Sequence, residues 1–94
     1  MKKAIYLKIS GTVQGVFFRQ STQQKARELN IKGWVRNCND GSVEVEAEGE
    51  EIPLNDFVEW CHRGPRDAKV NNVESKNIEM KNFEGFEVRS TKYE

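Results

Sequence analysis

Residues 4–19 read Ala4-Ile5-Tyr6-Leu7-Lys8-Ile9-Ser10-Gly11-Thr12-Val13-Gln14-Gly15-Val16-Phe17-Phe18-Arg19, and the spacing of the apolar side chains changes within that stretch. From residue 4 to residue 10 the pattern alternates. Ile5, Leu7 and Ile9 share one face, and Tyr6, Lys8 and Ser10 share the other. A period of two is a half-buried strand. Beyond a glycine-bearing connection, Phe18, Thr22, Ala26 and Leu29 recur at three- and four-residue steps, with glutamines and charged residues between them. That spacing predicts an amphipathic helix from about Phe18 to Asn30, with Gly33 marking the break after it.

Working outward, Gly33-Trp34-Val35-Arg36-Asn37 resumes strand character, and Val43, Val45 and Ala47 alternate with Glu44, Glu46 and Glu48 in the next strand. The Asp40-Gly41 pair between them supplies positive-φ positions for a hairpin turn. A second helix is predicted to begin near Pro53, where a missing N–H costs nothing. Its buried stripe is Leu54, Phe57, Val58 and Cys61, and Gly64-Pro65 ends it. Two more strands fall around residues 70–79 and 86–93. The order is β-α-β-β-α-β with a short extra C-terminal strand. It predicts an α+β, ferredoxin-like sandwich: an antiparallel sheet with two helices on one face. All of residues 1–94 read as one domain, because 94 residues leave no room for a second core.

Hydrophobic residues make up 36% of the chain and charged residues 32%, with 15 basic and 15 acidic side chains cancelling to zero. Nucleic-acid binders carry a basic excess to neutralise phosphates, so the balance counts against that class. Cys38 and Cys61 fit no zinc pattern, and His62 beside one of them supplies too few ligands. Two free thiols in a reducing compartment is the simplest reading, with one disulfide between them left open. The stretch after Met1-Lys2-Lys3 is interrupted by Lys8 and Gly11 and never becomes a signal-peptide core, and no run reaches transmembrane length. A soluble, cytoplasmic protein is expected, with no membrane partner.

Two places carry chemistry. The connection Gly11 to Phe18 runs from a strand into a helix N-terminus, where unpaired backbone N–H groups and the positive end of the helix dipole favour phosphate. Gly11 and Gly15 let the backbone approach an anion or take positive φ. Arg19 falls in the first helical turn, where a cation is unfavourable by ~0.3–1 kcal/mol when exposed. An anion held in the loop removes that conflict. The second place is Asn37 at a strand end, whose carboxamide can hold a water while touching a phosphate oxygen. Each has a plainer reading, as turn glycines, a surface arginine and a turn asparagine. The loop is not a Walker motif, since no Gly-Lys-Ser/Thr follows.

Together these pieces resemble the acylphosphatase family. Gly11-Thr12-Val13-Gln14-Gly15-Val16-Phe17-Phe18-Arg19 is similar to that family's first signature, Gly-x-Val-Gln-Gly-Val-x-Phe-Arg, without a mismatch. Gly33-Trp34-Val35-Arg36-Asn37, with Gly41, Val43 and Gly49 beyond it, resembles the second, spacing included. The resemblance implies hydrolysis of acyl phosphates to a carboxylate and inorganic phosphate; a monomer acting on a small molecule is expected, although the sequence does not fix the oligomeric state. It implies that Arg19 holds the phosphoryl group and that Asn37 positions the attacking water. It also implies a backbone N–H cradle from Gln14, Gly15, Val16, Phe17 and Phe18, with no metal and no cofactor.

Two rival classes remain at this level. One is a domain that binds phosphate or acyl phosphate without turnover, as in larger carbamoyl-transfer proteins of the hydrogenase-maturation type. The other is an RNA-binding ferredoxin-like domain, which stacks bases on aromatics of its central strands. Here those strands offer Tyr6, Lys8 and three glutamates, a surface that repels phosphate. Glu44, Glu46 and Glu48 read as a solvated row on an open sheet face.

Overall fold

The computed structural model describes residues 1–93, so Glu94 of the single-domain reading lies outside the described residues. Its elements run β1 Lys2–Thr12, α1 Phe18–Glu28, β2 Lys32–Asn37, β3 Val43–Glu50, α2 Glu51–Arg63, β4 Lys69–Ile78 and β5 Phe86–Val88. The sheet order is β4-β1-β3-β2-β5. The β1 to β4 pairings are antiparallel, and β3 and β1 occupy the interior of the sheet.

Alternation builds the core directly. Leu7 lies opposite Val45 and Ile9 opposite Val43, while Val35 pairs with Val45 from the other side. These buried side chains form one apolar face, covered by Phe18 and Ala26 of α1 and by Leu54, Phe57 and Cys61 of α2. Full burial of each large side chain is worth ~1.5–3 kcal/mol relative to exposure. The T-shaped contact of Phe57 with Phe86, centroids 5.8 Å apart, ties β5 into the same core. Cys38 and Cys61 are both buried and free.

Five local expectations need correction. The sheet is mixed, because β5 runs parallel to β2 with Phe86 opposite Gly33. Only three residues of the predicted 86–93 strand are in regular pairing, followed by an isolated bridge from Lys92 to Cys38. Helix α1 is terminated by Asn30 and not by Gly33. Asn30 takes φ 58, and the N–H groups of Ile31 and Asn30 return to the carbonyls of Ala26 and Arg27, a Schellman cap. Gly33 serves a different need: a Cβ there would strike the Glu46 carbonyl oxygen. Of the Asp40-Gly41 pair only Gly41 has positive φ, and α2 starts at Glu51, two residues before Pro53.

The glutamate row of β3 is not solvated. Glu48 is 4% exposed, and its carboxylate accepts backbone N–H bonds from Lys81, Asn82 and Phe83 at 2.8–3.2 Å. The segment after β4 thus folds over the open face and uses a charge to satisfy its own orphan donors. Glu44 accepts from the Tyr6 hydroxyl at 2.5 Å and from Arg36 Nε at 3.0 Å. Burial raises the Glu44 carboxyl, but the hydrogen bonds from Tyr6, Arg36 and Cys38 together with the Arg36 charge hold it below its ordinary value. The Arg36 guanidinium also lies over the Trp34 ring at 4.6 Å, with that of Arg89 at 5.0 Å.

Candidate active site

The connection between β1 and α1 is shaped by a change in backbone sign. A register shift between Ser10 and Gly11 bends the end of β1, and Gly11 at φ 133 lies so close to the Lys69 carbonyl oxygen that a Cβ would collide. Gly15 has φ 75 and Phe17 has φ 61, whereas Val16 between them does not take positive φ. Alternating signs curl the chain so that successive N–H groups face a common concavity. Among the described residues, the N–H groups of Gly15, Val16, Phe17 and Phe18 meet no protein acceptor, and the first return bond of α1 is Ser21 to the Phe17 carbonyl at 3.0 Å.

Packing holds that curl in place. Val13 and Phe18 are fully buried at its two ends, and Val16 packs on the core between them. The Phe18 ring meets Trp60 with centroids 5.8 Å apart. Gly64, the C-cap of α2 at φ 72, lets the helix end approach so closely that a Cβ would sit 2.5 Å from Phe18 Cε2. Phe17 is the contrary case. It is the N-cap of α1 in the left-handed region with no side-chain cap bond, a conformation that costs an L-residue roughly 1–2 kcal/mol.

Gln14 joins the loop to the β2–β3 hairpin. Its Nε2 donates to the carbonyls of Cys38 at 2.8 Å and Ser42 at 2.9 Å. The hairpin is braced further by Asp40, whose Oδ1 accepts from the Ser42 N–H and hydroxyl while Oδ2 pairs with Lys8. The Ser42 groups first, and then Lys8, hold the Asp40 carboxyl well below the usual carboxylate range. Burial pushes the Cys38 thiol up, so it stays neutral next to Asn37. Replacing Gln14 by alanine removes two hydrogen bonds worth ~0.5–1.5 kcal/mol each. A loss of about 1–3 kcal/mol in unfolding free energy is expected from urea titration, with a slacker cleft and a higher KM.

The clamp sets the end of β2 against the start of α1, and a cleft of about 190 Å³ lies between them, lined by Gln14, Gly15, Phe17, Phe18, Arg19 and Asn37. Arg19 is in the first turn of α1, which contains no acidic residue, and its guanidinium meets no carboxylate or other acceptor among the described residues. Asn37 Oδ1 is buried and has no hydrogen-bond partner among the described residues. Buried acceptors without partners are rare, and such an atom beside a cleft marks a place for a water or a ligand.

Of the sequence-predicted residues, all but Val16 line this cleft; Val16 packs against the core. Gln20 also borders it and was not foreseen, since nothing but its place after Arg19 distinguishes it. Among the described residues no three His, Cys, Asp or Glu side chains are grouped as metal ligands. No helix there is long and apolar enough to cross a membrane.

Fold and cleft together define a ferredoxin-like protein with a small cleft at a strand-to-helix turn. Comparison with known proteins carries this further. The family model for acylphosphatase matches residues 5–88. An acylphosphatase of Haloquadratum walsbyi is 48% identical over 81 residues, covering 86% of this chain and 87% of its own. The solved acylphosphatase of Coxiella burnetii is 42% identical with a TM-score of 0.90, covering 94% of this chain and 93% of that one. Full-length HypF superposes with a TM-score of 0.92 at 28% identity, covering 99% of this chain but only 12% of the larger protein. The chain belongs to the acylphosphatase family, enzymes that hydrolyse acyl phosphates.

Proposed function

We propose that the protein hydrolyses acyl phosphates by direct attack of a water on phosphorus, with the phosphoryl group held by Arg19 and the backbone N–H groups of residues 14–18. Asn37 holds the water through its Oδ1. The observation that carries this reading is the pairing, in one small cleft, of an unpartnered guanidinium with an unpartnered buried carboxamide oxygen.

The chemistry needs few groups. The leaving group is a carboxylate whose parent acid has a pKa of ~4, so it departs as a stable anion without a general acid. Phosphoryl transfer runs through a loose transition state with little bonding to the nucleophile, and catalysis rests on positioning and charge stabilisation. Arg19 and the cradle face the equatorial oxygens, where donors already in place need no reorganisation. Asn37 Oδ1 accepts a hydrogen bond from one O–H of the water and so fixes the direction of its lone pair. As the P–O bond forms and the bond to the acyl oxygen breaks, the water's proton passes to a non-bridging oxygen of the phosphate being formed, and carboxylate and dihydrogen phosphate leave.

The reading includes a metal-free, monomeric enzyme of the cytoplasm that acts on a small molecule. The carboxylates of Glu44 and Glu46 on the open face, paired with Arg36 and Lys81, support the exclusion of nucleic acid as a partner. The test is steady-state hydrolysis of benzoyl phosphate, followed by ultraviolet loss of the anhydride with EDTA present. Sustained turnover is expected. A folded protein that binds inorganic phosphate and turns nothing over would overturn the enzyme mechanism and leave a phosphate-binding module.

A further inference from the structure

Phe17 is not accounted for by the fold. Its side chain is 74% exposed, and among the described residues it takes part in no ring or cation contact. Its left-handed backbone is one that glycine or asparagine adopts with less strain. The cradle needs the N–H and the positive φ of this position, and neither requires a ring. Among the described residues five large hydrophobic side chains are exposed: Met1, Phe17, Ile52, Val88 and Tyr93. Only Phe17 lines the cleft.

The cleft itself is small. At about 190 Å³ it is below the ~300–1,000 Å³ of pockets that enclose drug-sized ligands. With the phosphoryl group seated on the cradle, the acyl half of the substrate stays outside, at the rim. A flat apolar surface at that rim contacts the acyl group and nothing else the reaction requires.

Resting on the reading of the cleft as an acyl phosphate site, we infer that the ring of Phe17 is the acyl-recognition surface. It favours substrates whose acyl group has a flat apolar or aromatic face over short aliphatic ones. Aromatic rings pack on one another in offset or edge-to-face geometry, and the exposed ring of Phe17 is open to both. The backbone of Phe17 serves the phosphate and its side chain selects the acid.

The test compares kcat/KM for benzoyl phosphate and acetyl phosphate in the wild type, Phe17→Asn and Phe17→Tyr. Asparagine tolerates the left-handed region and removes the ring, whereas tyrosine keeps the ring. The benzoyl-to-acetyl ratio is expected to fall by roughly 3- to 10-fold in Phe17→Asn, a range set by the strength of a ring–ring contact. In Phe17→Tyr the ratio stays at the wild-type value. A distorted cradle lowers both substrates in proportion, so an unchanged ratio in Phe17→Asn, whatever the absolute rates, overturns the assignment. Failure of the wild type to turn over either substrate overturns the hydrolytic reading as well, which separates the two failures.

Discussion

Arg19→Ala is expected to lower acyl phosphate hydrolysis by about 10³-fold or more, the loss seen when an arginine that stabilises a transferring phosphoryl group is removed. Arg19→Lys is expected to recover little of it. A lysine keeps the charge but presents a hydrated point donor where the planar fork met two oxygens. Stability moves the other way. Arg19 puts a cation in a first helical turn with no acidic neighbour, and it has no protein partner among the described residues. Its removal relieves ~0.3–1 kcal/mol of unfavourable dipole interaction. The melting temperature of Arg19→Ala without phosphate should therefore equal or exceed that of the wild type. Added phosphate stabilises a protein that binds it only in the folded state. It should raise the wild-type Tm and leave that of Arg19→Ala unmoved. An inactive variant that has also lost stability would instead assign Arg19 to the fold.

That opposition between stability and activity bears on what the sequence makes legible. Local periodicity identifies β1 and α1 because the signals lie within a few residues of one another: the alternation of Ile5, Leu7 and Ile9, then the helical spacing of Phe18, Thr22 and Ala26. The spacing of Val43, Val45 and Ala47 does the same for β3. Arg19 stands out because a cation is unfavourable in a first helical turn, whereas the cradle residues and Asn37 stand out through the resemblance of their two motifs to the acylphosphatase signatures. Their meeting in one cleft depends on the Gln14 clamp, two hydrogen bonds spanning 24 and 28 residues, which no local pattern reveals.

The misread features share that cause. Glu48 looks like one of three equivalent surface carboxylates until residues 81–83 fold back upon it from more than thirty positions away. The parallel placement of β5 follows from contacts such as the Gly33 N–H to the Gly85 carbonyl at 2.8 Å and the seat of Phe86 against Phe57. Both are tertiary facts. Asn30 outcompetes Gly33 as helix terminator because the Ile31 side chain enters the core only if the chain turns there. Sequence marks where glycine is present; packing decides which residue takes the left-handed turn.

Asn37→Ala is expected to reduce kcat by at least ~10², the scale for loss of one preorganised polar group at a reacting centre. Binding of inorganic phosphate, read as its inhibition constant, should stay near the wild-type value, because Arg19 and the cradle are untouched. The protein should also not be destabilised in proportion. Asn37 Oδ1 makes no hydrogen bond to another protein group among the described residues, so its loss breaks no bond from that oxygen to the fold. Asn37→Asp separates orientation from basicity. A carboxylate is the stronger base, but it brings a negative charge into a cleft built for an anion and repels the phosphoryl oxygens. If Asn37 works by orienting water in a loose transition state, Asn37→Asp should have a lower kcat and weaker phosphate inhibition than the wild type. If the reaction were limited by proton removal, Asn37→Asp would match or exceed the wild type in kcat once saturated. Near-normal kcat in Asn37→Ala would sink the water-positioning role and leave the buried oxygen without a function. The two variants thus test the same atom in opposite ways, one by removing the acceptor and the other by making it too strong.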